Sequence, residues 1–216
     1  MKKVAILLAG CGCFDGSEIH ESVLTMLSIK QLGHNYQCFS INDEQYHTVN
    51  HLTQVEESSN RNMLVESARI ARGNIKEIAE LCVDDYDALI IPGGNGIAFS
   101  LFDFALKGPD FSVRNEVKEI CLSFTNRDKP VGFICIAPVM IAKIYSEKVK
   151  MTIGNDSNIA AMVDSMGMEH NNTDYNEVCV DEKHKIATVA AYMLATDIGM
   201  AYQGIYKLVE KVVELI

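Results

Sequence analysis

The chain has 216 residues, enough to bury roughly 70% of its unfolded surface around one core, and it suits a single domain over 1–216. Its formal net charge of −10, with no basic cluster, excludes nucleic acid and anionic membrane as expected partners, and no apolar run approaches a membrane span. The seven cysteines (11, 13, 38, 82, 121, 135 and 179) are odd in number and scattered, which implies free thiols in a reducing compartment and places the chain in the cytoplasm.

Residues 3–9 form an apolar strand rather than a signal peptide, because the run ends at Ala9-Gly10 and enters Cys11-Gly12-Cys13-Phe14-Asp15. Cys11-x-Cys13 is one residue too tight for a Cys-x-x-Cys pair, and no second Cys/His pair complements it, so no metal is expected. After a glycine-rich loop over 10–16, a helix is predicted over 17–32. Ile19, Val23, Leu24, Met26, Leu27 and Ile29 fall near helical spacing there, and Gly33 ends it. Residues 36–41 read as a second strand, giving a β-α-β opening. Residues 42–60 are polar, carry His47 and His51, and show no clear period. A helix over 62–72 follows, stopped by Gly73. Its Arg61, Arg69 and Arg72 suit a solvated helix face or, alternatively, an anion or carbonyl contact. Residues 75–81 fit either a short strand or a turn.

A buried strand over 87–92 ends in Gly93-Gly94-Asn95-Gly96. This loop has neither the spacing of a dinucleotide fingerprint nor the Lys of a P-loop, so no cofactor is expected. It fits an oxyanion-binding loop or a plain tight turn. A helix over 113–124 precedes Val131-Gly132-Phe133-Ile134-Cys135-Ile136-Ala137-Pro138, a short buried strand running into a cysteine and a helix that ends near Tyr145. Pro138 suits the first turn of that helix. A cysteine at such a turn has the geometry of a nucleophile elbow, and the helix dipole behind it favours thiolate. The alternative is a small buried hydrophobe. A strand over 150–153, a helix over 158–166, a hairpin of 177–181 with 186–189, and a closing helix over 195–215 complete the chain. The alternation implies an α/β fold, a doubly wound and mostly parallel sheet with a terminal β-hairpin.

Sites in such sheets form outside the carboxyl ends of the strands, which here gathers residues 10–21, the 93–96 loop and Cys135. Asp15, Glu18, His20 and Glu21 are the candidate proton carriers. Glu18 and Glu21 share a helical face, while His20 points elsewhere. A carboxyl group beside a thiolate in an apolar pocket would have its pKa raised and could act as acid and then base, whereas a histidine would give a Cys–His pair. Acidic residues in a first helical turn are also expected for the dipole alone. The backbone N–H groups of Gly94 and Ile136 are the natural oxyanion donors.

Asp87-Ala88-Leu89-Ile90-Ile91-Pro92-Gly93-Gly94, followed by Gly132-Phe133-Ile134-Cys135-Ile136-Ala137-Pro138, resembles the PfpI and Parkinson-disease deglycase superfamily, which has a flavodoxin-like, class I glutamine-amidotransferase-like fold. Ser17-Glu18-Ile19-His20-Glu21, Asn50-His51-Leu52-Thr53, Ala68-Arg69-Ile70-Ala71-Arg72-Gly73 and Ala190-Ala191-Tyr192-Met193-Leu194-Ala195 narrow the likeness. Together they resemble the ElbB-like family, bacterial glyoxalase-like proteins linked by name to isoprenoid biosynthesis, with mitochondrial ES relatives in animals.

The resemblance implies that Cys135 is the elbow cysteine and Glu21 the glutamate that hydrogen-bonds its sulfur, with Gly94 and Ile136 as oxyanion donors. It also implies a homodimer and a family-specific insertion around 42–73, serving as a lid or as a dimer contact. Where the superfamily's triad histidine would stand, this chain has Thr152-Ile153-Gly154-Asn155-Asp156, which argues against protease activity and leaves His20 and Asp156 as auxiliary candidates. The functional expectation is a weak, glutathione-independent glyoxalase converting 2-oxoaldehydes (methylglyoxal, glyoxal) to hydroxy acids through a Cys135 hemithioacetal. The alternative is a non-enzymatic redox-sensing or metabolite-binding protein using the same thiol. An amidotransferase subunit fits less well, because the His-x-Glu expected near the carboxyl terminus is missing. The expected partner is a small-molecule aldehyde or metabolite.

Overall fold

The computed structural model describes residues 1–216. β1 (Lys3–Leu8) is buried beyond its first residue, and α1 (Ile19–Gln31) returns the chain to β2 (Asn35–Ser40). A small antiparallel hairpin of β3 (Thr48–Asn50) and β4 (Val55–Glu57), then α2 (Met63–Ile70), precede the short strand β5 (Ile75–Glu77). β6 (Ala88–Ile91) is followed by two one-turn helices, α3 (Ile97–Ser100) and α4 (Phe104–Lys107), then by α5 (Asn115–Thr125) and β7 (Val131–Ile134). A 3₁₀ turn over Ala137–Met140 enters α6 (Ile141–Ile144). β8 (Lys150–Met151) and β9 (Glu169–His170) pair in parallel on either side of α7 (Ser157–Ser165). The β10 (Val178–Asp181) and β11 (Ile186–Val189) hairpin leads to α8 (Ile198–Glu214).

Seven of these strands form one sheet in the order β10-β11-β7-β6-β1-β2-β5, and only the β10–β11 pair is antiparallel. β6 and β7 are buried at every residue, as their unbroken apolar runs require of parallel strands covered on both faces. α8 packs on α1 and across β7, β10 and β11, while α5 packs against β6 and β7. From β1 the chain runs outward to β2 and β5, then returns to β6 on the other side of β1. The order therefore reverses between β1 and β6, and that reversal opens a crevice at the carboxyl ends of the two strands.

Side-chain caps explain where the helices begin. Glu18, Asn62, Asp156 and Asp197 accept first-turn N–H groups, so the helices predicted from 17, 62 and 195 start at Ile19, Met63 and Ile198. Residues 75–81 turn out to be both a strand and a 3₁₀ turn, β5 followed by Ile78–Glu80. The 150–153 strand shrinks to β8 and pairs with β9 outside the main sheet.

Gly204 tests the packing of α8. A β-carbon there would lie 2.3 Å from the Tyr175 carbonyl oxygen and 3.1 Å from Val189 Cγ2. Alanine in place of glycine inside a helix ordinarily adds about 1 kcal/mol, but here the obstacle is backbone, which cannot rotate aside. Gly204→Ala is therefore expected to lower the urea midpoint at unchanged slope. A raised midpoint would contradict this packing.

Candidate active site

Cys135 follows the last residue of β7 with φ at +63°, a left-handed conformation that costs a non-glycine residue about 1–3 kcal/mol. The strain is held by its N–H, which donates to the Val189 carbonyl at 2.9 Å, and by the 3₁₀ turn that starts after Ile136. The residue is only 8% exposed, and the backbone N–H groups of Ile136 and Gly94 face its sulfur.

The loop after β6 needs glycine because three segments meet there. A β-carbon on Gly93 would stand 2.5 Å from Cys135 Cβ and 2.8 Å from Glu21 Oε2. Gly94, at φ +116°, has the Gly16 carbonyl 2.5 Å from where its own β-carbon would be. Backbone bonds then clamp this loop to the one after β1: Glu18 N–H donates to the Gly93 carbonyl at 2.8 Å, and Asn95 N–H to the Cys13 carbonyl at 2.7 Å.

Glu21 projects from the first turn of α1 and has no solvent exposure. Its carboxyl accepts the Gly93 N–H at 2.8 Å and the Tyr192 N–H at 3.3 Å, and it hydrogen-bonds with the Cys135 thiol. Burial, followed by the neighbouring charge of Glu18, pushes this carboxyl up to about 8. Burial and then Glu21 push the Cys135 thiol well above its ordinary value. Both groups therefore keep their protons at neutral pH. This corrects the expectation of a thiolate favoured by a helix dipole. The segment behind the sulfur is a 3₁₀ turn and a one-turn helix, whose few aligned peptides are outweighed by desolvation.

The other proton-carrier candidates separate clearly. Glu18 is the cap of α1, its carboxylate accepting the Glu21 N–H at 2.7 Å. Asp15 is buried and ties its loop to the β3–β4 hairpin by accepting the Val49 N–H at 2.8 Å. Asp156 is exposed and accepts the N–H groups of Asn158 and Ile159, both at 2.9 Å. None of the six histidines bonds to the thiol. His20, exposed, shares a 2.7 Å hydrogen bond with the Tyr192 hydroxyl. His34 meets Lys2 N, His47 the Phe14 carbonyl, His51 the Val49 carbonyl, His170 Ile153 N and His184 the Asp181 carboxylate. No group of three His, Cys, Asp or Glu side chains converges as a metal site.

Tyr192, which holds Glu21 through its backbone N–H, had no local signal of a site role in the sequence, although it lies within a block shared with the ElbB-like family. Arg61 and Arg69 both pair with Glu66, at 3.8 and 2.9 Å, so these charges are answered within the protein. The 42–73 segment forms a wall of a cleft. His47, Val49 and Gln54 line it together with Phe99, Phe104 and Ile136 of the elbow, around a volume of about 420 Å³.

Comparison with known proteins identifies the lineage. The DJ-1/PfpI family matches residues 2–196. The chain belongs to that family. It is 37% identical to human "Glutamine amidotransferase-like class 1 domain-containing protein 3, mitochondrial", over 99% of this chain and 83% of that one. It is 31% identical to the zebrafish "ES1 protein, mitochondrial", over 98% and 85%. The crystal structure of an isoprenoid biosynthesis protein with amidotransferase-like domain from Ehrlichia chaffeensis superimposes with a TM-score of 0.91 at 34% identity, covering 99% of this chain and 100% of that one. Glyoxalase III from Candida albicans shares the fold, with a TM-score of 0.65 at 15% identity over 100% and 97%.

The flavodoxin-like, class I glutamine-amidotransferase-like fold read from the sequence is the one observed. The cytoplasmic assignment is overturned, because the curated relatives are mitochondrial. Free thiols mark a reducing compartment, and the mitochondrial matrix is as reducing as the cytosol, so cysteine usage could not separate the two.

The buried carboxyl leaves a signature in stability. Between its ordinary value of 4.5 and its folded value of about 8, the folded chain holds a proton at Glu21 that the unfolded chain has released. Raising pH through that window therefore removes stability, at about 1.4 kcal/mol per pH unit for a full proton. The unfolding free energy of the parent relative to Glu21→Gln, measured in urea, is expected to fall steadily from pH 5 to 8 and then level off. A difference that stays constant across the window would contradict the assignment.

Proposed function

We propose that this chain is a cysteine-dependent, glutathione-independent glyoxalase of low turnover, converting 2-oxoaldehydes such as methylglyoxal and glyoxal to hydroxy acids. The buried Glu21–Cys135 pair carries the proposal: a nucleophile with one carboxyl group in reach of its proton and two backbone N–H groups at its sulfur. Membership of the DJ-1/PfpI family supports the class of chemistry.

In the first step the Glu21 carboxylate takes the thiol proton as Sγ bonds to C1 of the dicarbonyl. The developing oxyanion is met by the N–H groups of Gly94 and Ile136, and the proton returns to it, giving a hemithioacetal. Glu21 then removes the C1 proton to give an enediolate, the hydroxyl proton passes from the C1 oxygen to the C2 oxygen, and Glu21 delivers its proton to C2, leaving the 2-hydroxy acid as a thioester on Cys135. Water cleaves the thioester to the hydroxy acid and restores the thiol. Atoms balance as one dicarbonyl plus one water, with no external oxidant or reductant.

Low turnover follows from the same geometry. No histidine assists, and both groups rest protonated near pH 7. The redox-sensor reading needs a thiolate open to oxidants, which an 8% exposed thiol with a raised pKa does not supply.

The test is lactate formation from methylglyoxal without glutathione, followed by proton NMR. Lactate is expected from the parent and none above background from Cys135→Ser; equal background lactate from both would overturn the proposal. Glu21→Gln should lower kcat by about 10²–10⁴-fold, and a loss below threefold would remove Glu21 from the proton transfers. Because the acting base is a carboxylate that forms near pH 8, kcat/KM should climb as pH rises toward about 8 and then flatten. A profile already flat from pH 5 would exclude it as the base.

A further inference from the structure

The cleft beside the elbow is larger and more aromatic than methylglyoxal needs. One side of it is Ile136, whose N–H faces the Cys135 sulfur, and another is Asn95, the neighbour of Gly94, whose N–H does the same. The cleft thus ends one residue from the nucleophile at Ile136 and one from the Gly94 donor at Asn95, with Cys135 itself behind its lining. Its volume is about 420 Å³. At a liquid share of about 30 Å³ for a water-sized heavy atom, the five heavy atoms of methylglyoxal occupy roughly 150 Å³ at most. A dicarbonyl with a six-membered ring doubles that and still fits.

The chemistry of the walls narrows the choice. No Lys, Arg, Asp or Glu lines the cleft, so a phosphate, carboxylate or ammonium group would enter without a charge partner. The walls carry Phe14, Phe99 and Phe104, with small Ala98 and Ala105 leaving room between them. Neighbouring rings hold these in place. Phe99 packs on His47 with centroids 4.5 Å apart and stacks on Tyr46 at 5.3 Å, while Phe104 meets Phe111 edge-on at 5.7 Å. A slot with aromatic walls and no Lys, Arg, Asp or Glu, whose polar side chains are His47, Gln54 and Asn95, favours a flat group that is mostly apolar.

Building on the glyoxalase reading, we propose that the preferred substrate is a 2-oxoaldehyde bearing an uncharged aryl group, with its dicarbonyl end at Cys135 and its ring between Phe14, Phe99 and Phe104. The product is then an aryl-2-hydroxy acid, formed with the same balance as lactate.

Two experiments separate this inference from the reading beneath it. The first is saturation-transfer NMR of acetophenone, an aryl ketone with no aldehyde to react, on the parent and on Ala105→Trp. Ala105 is exposed on α4, so the new indole fills the slot without disturbing the core. Ring-proton transfer is expected with the parent and should fall at least fivefold in the variant. Absent transfer, or transfer unchanged by the variant, overturns the inference whether or not the protein turns over any aldehyde.

The second compares kcat/KM for phenylglyoxal, read as mandelate, with that for methylglyoxal, each corrected by Cys135→Ser. Phenylglyoxal is expected to be favoured at least tenfold, and Ala105→Trp should cut that ratio at least tenfold. A ratio near one, or one insensitive to the variant, overturns the inference and leaves the glyoxalase reading standing. Loss of turnover of both aldehydes removes the glyoxalase reading, while the acetophenone result still decides whether the slot takes an aryl group.

Discussion

A carboxyl group sealed from water beside a thiol sets the terms for the rest of this site. Glu21 has lost its hydration and received in exchange two backbone N–H groups and the sulfur of Cys135. Those donors favour the charged form, but desolvation and the charge of Glu18 outweigh them, and the proton stays. The surrounding architecture serves that contact. It lies where the strand order reverses between β1 and β6, and β6 can bring its loop there only because Gly93 has no side chain. Tyr192 reaches the carboxyl from the 3₁₀ turn that follows β11, so four separate segments enclose one proton.

A Cys–His pair would rest partly ionised at neutral pH. A buried Cys–Glu pair does not, since separating charge from a neutral thiol and a neutral acid works against the low dielectric. With the carboxyl near 8, about one molecule in ten has it ionised at pH 7. Chemistry at this site is accordingly slow at rest and becomes easier as the carboxylate forms. The left-handed Cys135 and the N–H groups of Gly94 and Ile136 are fixed before any ligand arrives, which is where such a site gains in preorganisation.

Much of this was legible in the sequence, for identifiable reasons. β1, β6 and β7 are short unbroken apolar runs and α8 is long and amphipathic, so the doubly wound sheet was legible in the pattern, although Ile19, Val23 and Leu27, read as part of the apolar spacing of α1, are exposed. Cys135 stood out because strand, cysteine and proline occur in sequence, and the Gly93–Gly96 loop because glycines cluster there. Other features had no such signal. β3 and β4 are three residues each, β4 exposed throughout and β3 buried only at Thr48, so neither shows an apolar alternation. α3 and α4 are single turns, too short to show a period. Residue pattern alone left Glu18 and Glu21 equivalent; the family resemblance chose Glu21, and the geometry supplies the reason, since Glu18 closes the helix end. The acidity of Cys135 was misread because a helix dipole is visible in sequence and depth of burial is not.

The central claim is that the Glu21 carboxyl is neutral at physiological pH because it is buried against Cys135. Carbon-13 NMR of protein labelled at the glutamate carboxyl carbons, titrated from pH 3 to 10 and assigned with Glu21→Gln, reads that proton directly. One resonance with a midpoint near 8, moving when Cys135 is replaced by alanine, is the predicted result. If the Glu21 resonance instead titrates with the exposed glutamates, below pH 5, the carboxyl is charged at neutral pH and the account of this site is wrong.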